Sequence, residues 1–269
     1  MKPQDFEELF DRLDIESAST AFLQSSAQWL GLDVAGSIDL IEALLRRLGP
    51  RGTLFMPSYA FAKPQPSLPV GTIFDVKATP SQVGLISELF RRRQQVSRSE
   101  SWWVPVCGIG PLARECLEGQ IDVVHPFAPD STFVRIVERD AKLIGLGVTL
   151  NTSSLQHYPD ALLESQYPRS VFLPTPVAGK VRDHTGVVHE TKSIICDNAL
   201  RRSYAAWNLT EQSPLLRAAR RRFDDGATFR FSYPLGLYFR EAMRVGRERL
   251  ANGLLPPWFK DGWSTVRDA

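Results

Sequence analysis

An apolar run at residues 143–148 is followed by a polar cluster at residues 149–154 and then by His157 and Asp160. This order is typical of a buried strand that ends in a loop and is followed by a helix. Open α/β sheets bind their ligands just beyond the carboxyl ends of such strands. The chain has four histidines. This placement makes His157 the candidate general base, with Asp160 as the carboxylate that orients it.

Strand and helix patterns alternate along the rest of the chain, which favours an α/β fold. The predicted elements are a helix at residues 5–13, a strand at 20–26, a helix whose inward stripe is Ile38, Ile41, Leu44, Leu45 and Leu48, a strand at 52–56, a strand at 104–109, a short helix at 112–117 and a small antiparallel sheet within 170–196. Thr79 and Pro80 predict a helix start, as N-cap and first helical residue. Residues 62–71 contain three prolines and predict a surface loop.

Composition excludes several classes of function. The formal net charge of +2 on 269 residues, with 43% hydrophobic and 23% charged residues, gives no reason to expect a nucleic-acid partner. No apolar stretch approaches the roughly 20 residues that span a bilayer, and the N-terminus lacks an apolar signal region. Three cysteines without C-x-x-C spacing predict neither a disulfide framework nor a zinc site. A cytoplasmic location is therefore the default expectation.

Four segments together are similar to the aminoglycoside 3-N-acetyltransferase family, and they occur in the family's order over residues 20–165. The segments are Gln24-Ser25-Ser26 with Gly31; LGPRGTLFMPSY at residues 48–59; TPSQVGLISELFR at residues 79–91, with Arg98-Ser99 after it; and Leu146-Gly147, Asn151-Thr152 and HYPD at residues 157–160. Gln24 stands where the family usually has histidine. Asp160 stands where it has glutamate, and Pro159 disfavours helical geometry at Tyr158.

The resemblance implies a single α/β domain over residues 1–269, with a central mixed sheet flanked by helices and a small antiparallel addition. It implies a CoA-binding and catalytic part at residues 20–165 and an acceptor-specificity part at residues 166–269. It also implies acetyl-CoA as co-substrate, a small amine acceptor and no metal. A homodimer is compatible with the sequence, which leaves the oligomeric state open.

The site residues that the resemblance implies fall into three groups. They are His157 and Asp160 for catalysis; Ser25, Ser26, Thr79, Ser81, Arg98 and Ser99 for CoA; and Tyr59 and Glu88 for substrate. Ordinary structural roles compete with most of these assignments, because serines cap helices routinely. For Glu88 the alternative is an ion pair with Arg98, for Tyr59 a place in the core, and for Arg98 a solvated basic surface.

Residues 201–250 contain eleven arginines, no lysine and five acidic residues, interleaved with aromatic side chains. Such a segment suits an anionic partner better than a polycationic aminoglycoside. We therefore expect direct acetyl transfer, in a ternary complex, to an amino group of a sugar or a related biosynthetic intermediate, with His157 as base. Two alternatives remain open: an aminoglycoside 3-N-acetyltransferase that confers antibiotic resistance, and a family member that binds CoA without catalysis.

Overall fold

A seven-stranded mixed sheet forms the centre of the fold. Its strands are β1 (Thr20–Ser25), β2 (Thr53–Pro57), β4 (Ser97–Arg98), β5 (Val106–Ile109), β6 (Lys142–Leu146), β9 (Arg221–Asp224) and β10 (Phe229–Pro234), in the order β4-β5-β2-β1-β6-β10-β9. β1 lies between β2 and β6 and is parallel to both, whereas β5 and β10 are antiparallel to their neighbours. This computed structural model describes residues 3–60, 72–149, 153–167, 170–196, 213–224 and 229–254.

Helices cover both faces of the sheet and create two separate apolar cores. They are α1 (Pro3–Arg12), α2 (Ala27–Leu30), α3 (Val34–Leu48), α4 (Leu85–Arg91), α5 (Ala113–Leu117), α6 (Thr132–Glu138), α7 (His157–Leu163), α8 (Pro214–Ala219) and α9 (Leu235–Ala251). Alternation along β1 divides its side chains between the cores: Phe22 packs with α6, α7 and α9, whereas Leu23 packs with α1 and α3. The face that holds Phe22 is called the α7 face below.

A second sheet has three strands. They are β3 (Ile73–Asp75), β7 (Val177–Arg182) and β8 (Val188–Ser193), in the order β3-β7-β8. β7 and β8 form the antiparallel hairpin that the sequence predicts, and β3 is parallel to β7. The predicted mixed α/β fold with a small added sheet is confirmed. The proposed division into a part at residues 20–165 and a part at 166–269 stays a prediction.

Three local expectations are wrong. The helix predicted at Thr79 begins instead at Leu85, because Gly84 has φ +115° and ends the preceding turn. Ile38 is 40% exposed and lies outside the buried stripe of α3. Tyr158 is helical despite Pro159, which is the third residue of α7. The first turn of a helix tolerates proline, because N–H groups there have no intrahelical partner.

Some of the sequence predictions fall outside the described residues. These are the proline-rich loop at residues 62–71, the Asn151-Thr152 motif, and the aromatic residues Tyr204 and Trp207 of the arginine-rich segment at residues 201–250. In the part of the chain that the structure describes, no helix has the length and apolar character needed to cross a membrane.

Candidate active site

A cavity of about 840 Å³ opens at the carboxyl ends of β1, β2 and β6. Because the chain continues from β1 to β2 on one side and places β6 on the other, this is the point where the strand order reverses. Doubly wound sheets bind ligands at such points. The volume is typical of a small-molecule site. Its lining comes from the loops after the three strands and from the turn before α4: Gln24, Ser25, Ser26, Ala27, Gln28, Trp29, Leu32, Pro57, Tyr59, Val83, Gly84, Leu85, Gly147, Val148 and Thr149.

Close packing of two of these loops requires glycine at position 147. Gly147 has φ +68°, and a Cβ there would lie 3.0 Å from the carbonyl oxygen of Ser26 and 3.1 Å from Cβ of Trp29. The backbone N–H of Ser26 in turn donates to the carbonyl of Leu146 at 2.9 Å. The loops after β1 and β6 are therefore fixed against each other, and together they form one wall of the cavity.

Two of the predicted CoA-binding serines, Ser25 and Ser26, line this cavity. Ser26 is the N-cap of α2, and its Oγ accepts a hydrogen bond from the backbone N–H of Trp29 at 3.4 Å. Ser25 Oγ is buried and has no hydrogen-bond partner within the described residues. None of the lining side chains in the described part of the chain is charged. The cavity thus offers hydroxyl and amide groups within largely apolar walls.

His157 and Asp160 are in direct contact at the start of α7. The imidazole Nδ1 lies 3.2 Å from Asp160 Oδ2, so the shorter aspartate reaches the histidine across one turn of the helix. The carboxylate is 4% exposed, and its other oxygen, Oδ1, accepts a hydrogen bond from the Tyr167 hydroxyl at 3.1 Å. Burial, and next the neighbouring Asp160, raise the pKa of Tyr167, so this hydroxyl stays protonated and remains a donor.

This array can prepare His157 to act as a base. Asp160 is an acceptor for an N–H at Nδ1, which leaves the lone pair at Nε2. The carboxylate also stabilises the imidazolium that forms when Nε2 takes a proton. His157 and Asp160 are not part of the cavity lining. α7 packs on the face of the sheet that carries Gln24 and follows the loop whose residues 147–149 do line the cavity.

Arg98 is buried and holds the loop that carries Tyr59. Its side chain is 3% exposed, and its Nη2 and Nη1 donate to the carbonyls of Ser58 and Thr79, each at 2.5 Å. The guanidinium carbon lies 4.6 Å from the ring centroid of Phe74. Burial lowers the pKa of Arg98 to about 10, which still leaves the group charged at neutral pH. The guanidinium of Arg98 therefore bonds to backbone carbonyls, and Arg98 is not part of the cavity lining.

Glu88 forms an ion-pair cluster with two neighbouring arginines and not with Arg98. Arg91 Nη2 donates to Glu88 Oε1 at 2.7 Å, and Arg92 Nε donates to the same oxygen at 2.6 Å. Glu88 Oε2 accepts from Arg91 Nε and from the backbone N–H of Ser81, at 2.8 and 2.7 Å. The bonds from Arg91 lower the pKa of Glu88 most, to about 2. Oε2 therefore holds the turn before α4, and Oε1 pairs with the arginines at the end of the helix.

The other predicted CoA-binding residues lie outside the cavity lining. Thr79 Oγ1 accepts from the backbone N–H of Asp75 at 2.8 Å, and Ser99 Oγ accepts from that of Val106 at 2.9 Å. Ser81 Oγ is buried without a partner in the described residues. The structure brings Ser25, Ser26 and Tyr59 to the cavity. It places Thr79, Ser81, Arg98, Ser99 and Glu88 in its supporting framework.

Tyr167 and Gln24 are among the residues of the site to which the sequence assigned no role. Tyr167 lies seven positions after Asp160, a spacing that gives no local signal, and only the folded chain brings its hydroxyl to the carboxylate. Gln24 appeared in the sequence as a departure from a family motif. Its place at the end of a predicted strand was the available signal that it would reach the ligand edge of the sheet.

The fold and this edge of the sheet define an α/β protein with a ligand cavity at a topological switch point. The family model for aminoglycoside 3-N-acetyltransferase matches residues 22–204 of the 269. The chain belongs to this family.

Related proteins match over part of their length. Aminoglycoside N(3)-acetyltransferase IV of Salmonella sp is 30% identical over 134 residues, which are 49% of this chain and 48% of that protein. Aminoglycoside N(3)-acetyltransferase IX of Micromonospora chalcea is 24% identical over 179 residues, which are 61% of this chain and 63% of that protein. The chain thus matches about half to two thirds of the length of these relatives.

Solved structures share the fold over most of the chain. The apoenzyme of aminoglycoside acetyltransferase AAC(3)-IVa superposes with a TM-score of 0.74 and 22% identity, over 96% of this chain and 93% of that one. AAC-IIIb, whose structure is a binary complex with CoASH, gives a TM-score of 0.77 at 15% identity, over 93% and 97%. At these identities the similarity establishes the architecture.

Proposed function

We propose that this chain is an acetyl-CoA-dependent N-acetyltransferase that acts on an amino group of an amino sugar. The observation that carries the proposal is the contact between His157 and the buried Asp160, on the α7 face of the sheet. A family member that only binds CoA would have no need for a base with a buried orienting carboxylate. The array therefore favours catalysis over the binding-only alternative.

The cavity suits the pantetheine and acyl portion of acetyl-CoA. Its walls are apolar with a few hydroxyl and amide groups, which matches an uncharged chain that carries amide bonds and a thioester. Ser25 Oγ, which has no partner in the described residues, is one such group. The structure of AAC-IIIb with CoASH supports the same co-substrate for this chain. When acetyl-CoA is bound, it supplies the acetyl group as an activated thioester.

His157 would take a proton from the acceptor amine. A sugar ammonium carries no free lone pair, so it must lose a proton before its nitrogen can form a bond to the thioester carbon. The ammonium releases this first proton to solvent. His157 Nε2 takes a second N–H proton as the nitrogen bonds to the thioester carbon, while Asp160 holds the ring and stabilises the imidazolium. The C–S bond then breaks, and His157 gives its proton to the departing thiolate, so the products are the amide, the CoA thiol and one released proton.

Transfer is direct, without an acyl-enzyme intermediate. Burial raises the pKa of Cys107 to about 11, so its thiol is not ionised at neutral pH. Burial likewise raises the pKa of Cys116 to about 11. Neither buried thiol is a suitable nucleophile, which favours attack by the amine itself in a ternary complex.

The acceptor class has a second candidate, an aminoglycoside antibiotic. The names of the relatives favour it, because they are aminoglycoside N(3)-acetyltransferases. The lining of the cavity in the described residues holds no carboxylate for a polycation, which favours a less cationic amino sugar. The two candidates differ in substrate and share the chemistry.

Release of free CoA from acetyl-CoA tests the proposal. The chain is incubated with acetyl-CoA and, separately, with glucosamine, gentamicin and an amine-free blank, and thiol release is followed together with the mass of the amine. We expect amine-dependent release and addition of one acetyl group to the amine. Thiol release no faster than the blank, across a broad panel of amino sugars and aminoglycosides, would contradict the proposed function.

A further inference from the structure

Gln24 places an unpartnered amide oxygen in the wall of the cavity. Its side chain is 5% exposed, and Oε1 is buried without a hydrogen-bond partner in the described residues. A buried acceptor that lacks a donor costs about 1–3 kcal/mol of stability. Such a group in a folded protein calls for an explanation, and a catalytic or binding role is one of them.

The register of β1 directs this group to the α7 face. Gln24 is two residues after Phe22, so their side chains point to the same side of the sheet, where α7 packs. In β6 the residue opposite Gln24 is Gly145. A Cβ at Gly145 would lie 2.2 Å from the ring of Phe231, so this ring covers the glycine. On the β6 side of Gln24 the amide therefore meets the ring of Phe231 and no polar side chain from Gly145.

We propose that Gln24 is a substrate-binding residue for acetyl transfer, whose Oε1 accepts a hydrogen bond from the N–H of the acceptor amine. This inference rests on the proposed function. The amine nitrogen gains positive charge as it bonds to the thioester carbon, so an amide oxygen beside it stabilises the developing charge. Gln24 would hold the amine while His157 removes its proton. No titratable group is needed at this position.

Two substitutions separate the oxygen from the rest of the side chain. Gln24→Met keeps the length of the side chain and removes both polar atoms, whereas Gln24→Glu keeps acceptor oxygens and removes the N–H donors. Gln94→Met is the matched control, because Gln94 is exposed and is not part of the cavity lining. The assays use acetyl-CoA with the acceptor that the wild-type chain acetylates most efficiently, at about pH 8.

We expect Gln24→Met to lower kcat/KM for the acceptor at least about tenfold, because the variant loses one hydrogen bond to a charged group. Gln24→Glu should remain within about threefold of wild type, since carboxylate oxygens also accept from the amine. The dissociation constant for CoA should change less than twofold in both variants, and Gln94→Met should match wild type. Equal impairment of the Met and Glu variants would overturn the proposal, because it would assign the effect to the amide N–H.

Thermal unfolding gives a test that does not depend on turnover. Because Gln24→Met removes a buried oxygen without a partner, its Tm should equal or exceed that of wild type. A Tm lowered by several degrees would show a structural role and overturn the inference. If wild type acetylates no amine, the proposed function fails and this inference fails with it. If wild type is active and Gln24→Met is equally active, the inference alone fails.

Discussion

The imidazole Nδ1 of His157 lies 3.2 Å from Oδ2 of Asp160, a carboxylate that is almost fully buried. The two residues are separated by three positions on α7, so one helical turn brings them together even though aspartate is shorter than glutamate. The helix thus supplies the geometry that the short side chain requires. The first prediction follows from this contact.

Asp160→Asn should lower kcat by about 10²–10⁴-fold, because an asparagine N–H facing Nδ1 favours the tautomer whose Nε2 carries the proton and cannot act as a base. CoA affinity should be retained. The matched control is Asp183→Asn, which alters a partly buried pair in which His189 Nε2 lies 2.7 Å from Asp183 Oδ2 on the β7–β8 hairpin. Steady-state kinetics of both variants check this prediction. Equal activity of Asp160→Asn and wild type would contradict the orienting role.

Replacement of Glu88 by glutamine should destabilise the fold in a pH-dependent way. The folded-state pKa of Glu88 is about 2, below its ordinary value of 4.5. The cluster therefore contributes its full stability above about pH 4.5 and loses it as the pH falls towards 2. At neutral pH we expect a loss of about 2 kcal/mol and a Tm lower by about 4–8 °C.

Denaturant unfolding of wild type and Glu88→Gln at several pH values measures this difference. It should shrink as the pH is lowered below about 4. Glu118→Gln is the control, because Glu118 pairs with Arg114 at an exposed site and should change stability by less than about 0.5 kcal/mol. A difference between wild type and Glu88→Gln that does not vary with pH would be inconsistent with the ion-pair cluster.

Substitution of Arg98 by methionine should distort the cavity, because Arg98 holds the loop that carries Tyr59. The change removes the donors to Ser58 and Thr79 and leaves their carbonyl oxygens unpaired. We expect a loss of about 3 kcal/mol in unfolding free energy and a higher KM for acetyl-CoA, because Ser58 precedes the cavity residue Tyr59. Arg114→Met, at an exposed arginine, is the control. If Arg98→Met lost affinity for CoA with no loss of stability, Arg98 would instead be a direct CoA ligand.

Gly147→Ala should weaken CoA binding. Alanine at φ +68° costs about 1–2 kcal/mol of folding free energy. Its Cβ would also lie only 3.0 Å from the carbonyl oxygen of Ser26. Gly253→Ala provides a matched control, since Gly253 has φ +69° and no atom within 4 Å of the added Cβ. Calorimetric titration with CoA should show a loss of about tenfold for Gly147→Ala and none for Gly253→Ala. Similar affinities for the two variants would contradict the packing of the two loops as the basis of the wall.

Local patterns predicted the elements whose side chains repeat regularly. The stripe of α1 and the apolar runs of β1, β2 and β6 were identified from sequence, and the polar residues after β1 and β6 were expected at the ligand edge. The start of α4 was misplaced, because Thr79 and Pro80 form a legitimate helix-start pattern. Gly84, whose φ of +115° ends the preceding turn, decides where α4 begins. The Ser81 N–H, which donates to Glu88 Oε2, holds that turn, and the helix-start pattern contains neither feature.

The assignment of side chains to the cavity depended even more on tertiary structure. Arg98 and Ser99 carry chemistry that suits a phosphate, yet burial and backbone partners engage both. Tyr167 contacts Asp160 only because the chain turns after α7. Sequence reasoning found the histidine and its partner because they share one helical turn. It could not find contacts between residues that are distant along the chain.

Turnover by a His157→Gln variant tests the central claim most directly. Glutamine keeps the polar character of the side chain and cannot take up a proton at neutral pH. With acetyl-CoA and the acceptor that wild type uses, kcat should fall by at least about 10²-fold, while calorimetry should show CoA affinity within about twofold of wild type. Full turnover by His157→Gln would contradict the assignment of His157 as the base.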